Sequence, residues 1–111
     1  MGGGKTTAPG EKAVRIVLLR SAIEDLVRGR EFYEKQGEGL GDYFEEALAA
    51  DIESLRLFAG IHALAHGYHR MLSAKFPYAV YYDVVGDQVQ VRAILDCRQN
   101  PQWIRSRLRH G

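Results

Sequence analysis

The feature that most constrains this chain is a pair of β-rich runs in its last third, residues 76–84 and 88–96, separated by Val85-Gly86-Asp87. Apolar, β-branched and aromatic runs on either side of a Gly-Asp turn predict a β-hairpin. The second run alternates Val89, Val91, Ala93 and Leu95 with Gln90 and Arg92. Successive strand side chains point to opposite faces, so one face is expected to meet a core and the other to carry chemistry.

The cover for that core face is legible upstream. Residues 14–19 are a short β-branched strand, and Ser21-Ala22-Ile23-Glu24 has the form of a capping box, in which the hydroxyl and the carboxylate satisfy free backbone donors. A helix is therefore predicted over 21–36, with Ile23, Leu26, Val27 and Tyr33 as its apolar stripe. Glu24/Arg28 and Glu31/Lys35 are i,i+4 pairs for its wet side. Gly37, Gly39 and Gly41 break the pattern, and Phe44, Leu48, Ile52 and Leu55 place a second helix that reaches about Phe58. Residues 68–73 read as a further strand, and Asn100-Pro101 separates the last strand from a short helix over 102–108. The expected fold is α+β in the order β-α-α-β-β-β: a helical hairpin packed on one face of a mostly antiparallel twisted sheet, a short C-terminal helix, and the other face partly open.

Length and composition set bounds on function. The 111 residues suffice for one core. Residues 1–12 are Gly-rich without apolar periodicity and read as a flexible N-terminal tail, leaving 13–111 as a single domain. Gly4-Lys5-Thr6 lacks the strand and glycine spacing of a phosphate loop, and Met1-Gly2 with Thr6 is too short a myristoylation pattern to carry an anchor alone. A single cysteine, Cys97, excludes an internal disulfide. With no apolar run near membrane-spanning length, the expectation is a cytoplasmic protein without membrane partners. The net charge of +1 hides an asymmetry, since residues 62–111 hold seven Lys/Arg against three Asp/Glu and all four histidines. An acidic partner suits that half, whereas the modest total argues against phosphate binding as the main business of the chain. His62, His66 and His69 have metal-like spacing, but Gly60 and Gly67 interrupt the helix that would align them, so no metal and no cofactor are expected.

Over about residues 14–108, this order of elements resembles the RelE/ParE superfamily of bacterial type II toxins. It carries the phrases His69-Arg70-Met71-Leu72, Lys75-Phe76-Pro77-Tyr78, Tyr81-Tyr82 and Ile94-Leu95-Asp96-Cys97-Arg98-Gln99-Asn100-Pro101. The resemblance implies a toxin of the plasmid-stabilisation type, held inactive in a hetero-oligomer by a cognate antitoxin whose C-terminal segment wraps it. It also implies one of two targets, messenger RNA on the ribosome or DNA gyrase. On the RNA-cutting branch, Arg70 and Arg98 match the catalytic arginines, with Lys75 and Arg92 near them, and a Tyr or His near the C terminus moves the proton. About six residues beyond Arg98 stand Trp103 and Ile104, which cannot transfer a proton. His69 is expected on the strand face opposite Arg70, and His110 lies near the end of the chain. This departure makes a ParE-like gyrase inhibitor the leading reading, with a ribosome-dependent endoribonuclease as the alternative. A relic acting only in antitoxin binding and operon control is the second alternative.

Lys75, Arg92, Trp103 and Arg105 are the residues expected to meet target or antitoxin. Each candidate also suits a plainer role. Arg98 suits an ion pair with Asp96, Arg70 and Arg92 a solvated sheet face, and Lys75 an edge-strand position. Tyr78, Tyr81 and Tyr82 suit a core, Cys97 a half-buried thiol, and Trp103 an anchor for the last helix.

Overall fold

The computed structural model describes residues 14–110. The tail expected over 1–12, with its two short motifs, lies outside them. The elements run β1 (Arg15–Leu18), α1 (Arg20–Glu34), α2 (Leu40–Glu53), α3 (Leu55–Phe58), β2 (Leu64–Ala65), β3 (Tyr68–Leu72), β4 (Tyr78–Val85), β5 (Gln88–Asp96) and α4 (Pro101–His110). The five strands form one sheet in the order β1-β5-β4-β3-β2, with β1 parallel to β5 and every other pairing antiparallel. This is the expected α+β architecture, with α1 and α2 on one face and α4 on the other. Among the described residues no helix is long and apolar enough to cross a membrane.

The passage from β1 into α1 corrects the capping box. Leu19 donates its N–H to the Val91 carbonyl at 3.0 Å and at once accepts from Ala22 and Ile23, so it is the N-cap and no side chain caps the helix. Ser21 therefore falls inside the first turn, and its hydroxyl donates to the Arg92 carbonyl at 2.8 Å. The apolar stripe moves with the helix start. Ala22, Asp25 and Gly29 are buried, whereas Ile23 and Val27 remain about half exposed. Small residues face inward because α2 lies close: a Cβ at Gly29 would stand 2.6 Å from the Phe44 ring.

Three other expectations shift. The second helix divides at Ser54, whose hydroxyl bonds back to the Asp51 carbonyl at 2.6 Å. The strand expected from Phe76 begins at Tyr78, so Lys75, Phe76 and Pro77 belong to a loop. The stretch before β3 contains the extra strand β2, joined to β3 by His66 and Gly67 at φ 56° and 86°. Two successive left-handed residues make the primed turn whose twist matches a two-residue hairpin.

The alternation expected along β5 is broken by a bulge. Tyr81 faces Ala93 while Tyr82 faces Val91, which leaves Arg92 as the extra residue. One inserted residue flips everything beyond it. Val89, Val91 and Ile94 consequently join Phe44, Leu48, Leu55 and Tyr82 under the helical hairpin, whereas Ala93 and Leu95 join Ala79, Tyr81, Ile104 and Leu108 beneath α4. Both faces of the sheet therefore carry a core, and the adjacent Tyr81 and Tyr82 belong to different ones. Phe76 closes the larger core from its loop, its ring 4.9 Å from Tyr33, 5.0 Å from Phe44 and 5.4 Å from Tyr43.

Candidate functional site

The site grows out of a mismatch in strand length. β1 ends where Leu18 faces Val91, so the last five residues of β5 have no strand beside them on that edge. Unpaired backbone groups at such an edge need partners, and α1 supplies them from its first two turns. Ser21 takes the Arg92 carbonyl, as above, and the Asp25 carboxylate accepts the Ile94 N–H at 3.0 Å. Asp25 is 3% exposed and would be an unsupported buried charge without further partners. It receives Arg28 at 2.7 Å and Arg107 at 2.5 Å, and Arg107 also donates to the Ser21 carbonyl at 3.1 Å. One carboxylate thus ties α1, β5 and α4 together. Neither Asp25 nor Arg107 was singled out from the sequence; the signal present there was an acid between the inward positions 22 and 29, with its partner 82 residues away.

Beyond this clamp α1 and α4 diverge around a cleft of about 300 Å³, walled by Phe32 and Trp103, with Tyr78, Arg28 and Asp96 at its margins. Burial pushes the Tyr78 phenol up to about 12, with Asp96 adding to the shift, so it enters the cleft neutral. At the rim Arg98 grips Asp96 with both prongs, Nε to Oδ1 at 2.9 Å and a terminal nitrogen to Oδ2 at 2.7 Å. The Arg98 hydrogen bond holds the Asp96 carboxyl below its ordinary range, and the same bond holds the guanidinium up. Trp103 is 45% exposed on α4.

The remaining candidates fall elsewhere. Arg70 lies on the α4 face of the sheet, donating to the Tyr81 hydroxyl at 3.2 Å and to the Cys97 sulfur at 3.5 Å. The Tyr81 bond is the largest of the influences that keep it charged. Arg92 pairs with Asp83 at 3.3 Å and sits 5.4 Å over the Tyr68 ring. Arg105 borders the same face beside the His66-Gly67 turn, with Arg109 one turn further along α4. Lys75 lies on the other side, 5.4 Å over the Tyr43 ring. Arg70 and Arg98 take different partners: one leans on Tyr81 in the smaller core and on Cys97, the other grips Asp96. His69 stacks on Tyr82 under the hairpin, and its Nδ1–H donates to the His62 carbonyl at 2.6 Å. His62 Nδ1 meets the Tyr82 hydroxyl at 2.5 Å, while His66 stands apart in its turn. The His110 side chain lies outside the described residues.

No family model matches the chain, and no curated protein matches it. Among solved structures, a chain of the chromosomal ParDE TA system from P. aeruginosa aligns with a TM-score of 0.62, covering 74% of this chain and 94% of its own length at 16% identity. The fold is that of the RelE/ParE-like toxins. At that identity the likeness concerns the course of the backbone and assigns no role to any residue. Within the RelE/ParE-like fold, the functional reading rests on where this chain places its own side chains.

Proposed function

We propose that residues 13–111 are the toxin of a bacterial type II toxin–antitoxin pair, a cytoplasmic growth inhibitor of the ParE kind that binds DNA gyrase without catalysing a reaction. The observation that carries the choice of branch is that Arg70 and Arg98 are each already engaged, by different groups. Phosphoryl chemistry requires cations converging on one phosphate beside a group that moves a proton. Here Arg98 is occupied by Asp96. Arg70 is occupied by Cys97 and by a Tyr81 that is 3% exposed. Arg105 and Trp103 remain at the surface for a target, with Arg92 part-exposed beside Asp83, and the half-exposed Ile23, Val27, Phe32 and Trp103 suit the apolar side of an antitoxin. Lys75, on the hairpin side, belongs to the antitoxin surface under this reading.

Induction in growing cells tests it. Filamentation with a DNA-damage response, intact transcripts and inhibition of gyrase supercoiling by the purified chain is the expected outcome. Rapid in-frame transcript cleavage that disappears in Arg70→Ala would establish the ribonuclease instead, with Tyr81 or Cys97 beside that guanidinium. Unimpaired growth would leave antitoxin binding and operon control as the role.

A further inference from the structure

We propose that the cleft between α1 and α4 is a docking slot for a short extended, acidic peptide segment of a partner protein, which runs parallel to β5 and seats one apolar side chain between Phe32 and Trp103. This deepens the toxin reading by assigning the neutralising partner a place and a chemistry. Backbone parity decides which groups of β5 face the open edge. Cys97 donates its N–H to the Pro77 carbonyl at 2.8 Å, so that pair faces inward across β4 and β5. Antiparallel pairs alternate, and the backbone groups of Ile94 and Asp96 consequently point to the outer edge that β1 does not reach. Two of the four groups there are taken: the Ile94 N–H by Asp25 at 3.0 Å and the Asp96 carbonyl by the Gln99 N–H at 3.1 Å. The Ile94 carbonyl and the Asp96 N–H have no partner among the described residues. An acceptor and a donor flanking Leu95 are what one residue of a parallel strand satisfies, by giving its N–H to the first and taking the second on its carbonyl. An antiparallel strand would need the groups already occupied.

The side-chain environment agrees with the backbone. The cleft of about 300 Å³ opens on this edge, and its walls Phe32 and Trp103 are 46% and 45% exposed, large apolar surfaces in want of a side chain. Its charge selects the partner. Arg28 and Arg107 share the single Asp25 carboxylate, which leaves one positive charge uncompensated at the wall. Residues 62–111 add their excess of seven cations over three anions. Glutamates flanking the seated side chain would complement both.

The test uses the full ¹⁵N-labelled chain and an N-acetylated, C-amidated hexapeptide with leucine at its centre and glutamates at both ends. Binding should shift the Asp96 amide and Trp103 indole signals and slow Asp96 hydrogen exchange at least tenfold. N-methylation of the leucine amide, or Trp103→Ala in a chain whose spectrum is otherwise kept, should weaken binding at least tenfold. A lysine-flanked analogue should bind more weakly than the parent. Failure to bind at millimolar peptide, equal binding of the N-methylated analogue, or shifts confined elsewhere would overturn the slot. Concentration-dependent shifts of Asp96 and Trp103 in the chain alone would assign the cleft to a second copy. Displacement of the peptide by an oligodeoxynucleotide that itself moves these signals would assign it to nucleic acid; either result overturns the acidic-peptide assignment. Toxicity plays no part in the titration, so a non-toxic chain leaves the slot standing and a silent titration leaves the growth assay standing.

Discussion

Asp25 is the residue on which most depends, because three elements meet on its two oxygens. Removing it orphans the Ile94 N–H and leaves Arg107, whose side chain is 18% exposed, without its carboxylate. Breaking a buried pair from one side costs about 3–5 kcal/mol, since the surviving charge stays desolvated. Asp25→Ala should therefore lower the urea midpoint by an amount equivalent to that range. Asp25→Asn, which can still accept from Ile94, should lose less. A loss under about 1 kcal/mol in Asp25→Ala would mean that α4 is held by Ile104 and Leu108 alone. Arg98 is the contrast. Its pair with Asp96 is exposed on the arginine side, and such pairs are worth about 0–1 kcal/mol. Arg98→Ala should leave the midpoint nearly unchanged and, for a gyrase inhibitor that does not use it chemically, leave growth arrest intact.

Among the elements, the α1–α2 hairpin is decided by glycines. Gly→Ala inside a helix ordinarily gains about 1 kcal/mol. At Gly29 the added methyl would meet Phe44 Cζ at 2.6 Å and Cε2 at 2.7 Å, and that ring is locked between Tyr33, Phe76 and Tyr78. Overpacking of this kind costs about 1–3 kcal/mol, so the sign should reverse and Gly29→Ala should melt earlier than the parent. Gly67→Ala, which forces a Cβ into a φ of 86°, should also destabilise, by about 1 kcal/mol in a denaturant titration. These elements also show what a sequence can disclose. The long strands were legible because β-branched runs announce themselves, and the Asp96–Arg98 pair because its partners stand two residues apart. The bulge at Arg92 was not, because it serves the packing of Val91 and Ile94, three residues apart, on one face while Ala93 and Leu95 take the other. The two-residue β2 was hidden because Gly67 reads as a helix breaker until the left-handed His66 beside it is known. The Asp25 clamp was missed because the stripe read through Ile23, Leu26 and Val27 puts Asp25 on the wet side, and nothing local points to Arg107.

At the scale of the molecule, one sheet supports two cores, and its stability should acquire a pH dependence from the loop that closes the larger one. The turn between α3 and β2 is pinned to Tyr82, which is fully buried: the hydroxyl accepts the Gly60 N–H at 2.9 Å and shares its own proton with His62 Nδ1. In that arrangement His62 accepts, and so must be neutral. Its pKa is lowered from 6.5, chiefly by burial and secondarily by the neighbouring His69. A base whose pKa falls on folding binds more protons unfolded, so stability rises with pH. The contribution is fully present above the unfolded value near 6.5 and is lost as pH falls through the lowered folded value. A protonated His62 would present a donor to a hydroxyl that already accepts from Gly60, and the Tyr82 proton would be left buried without an acceptor. Denaturation midpoints should accordingly decline between pH 7 and pH 5, and His62→Asn, which can accept from Tyr82 but does not titrate, should flatten that decline. An equally steep profile in His62→Asn would overturn the assignment to His62, since the Asp96 carboxyl, lowered from 3.8 by Arg98, gives up its share only below about pH 5.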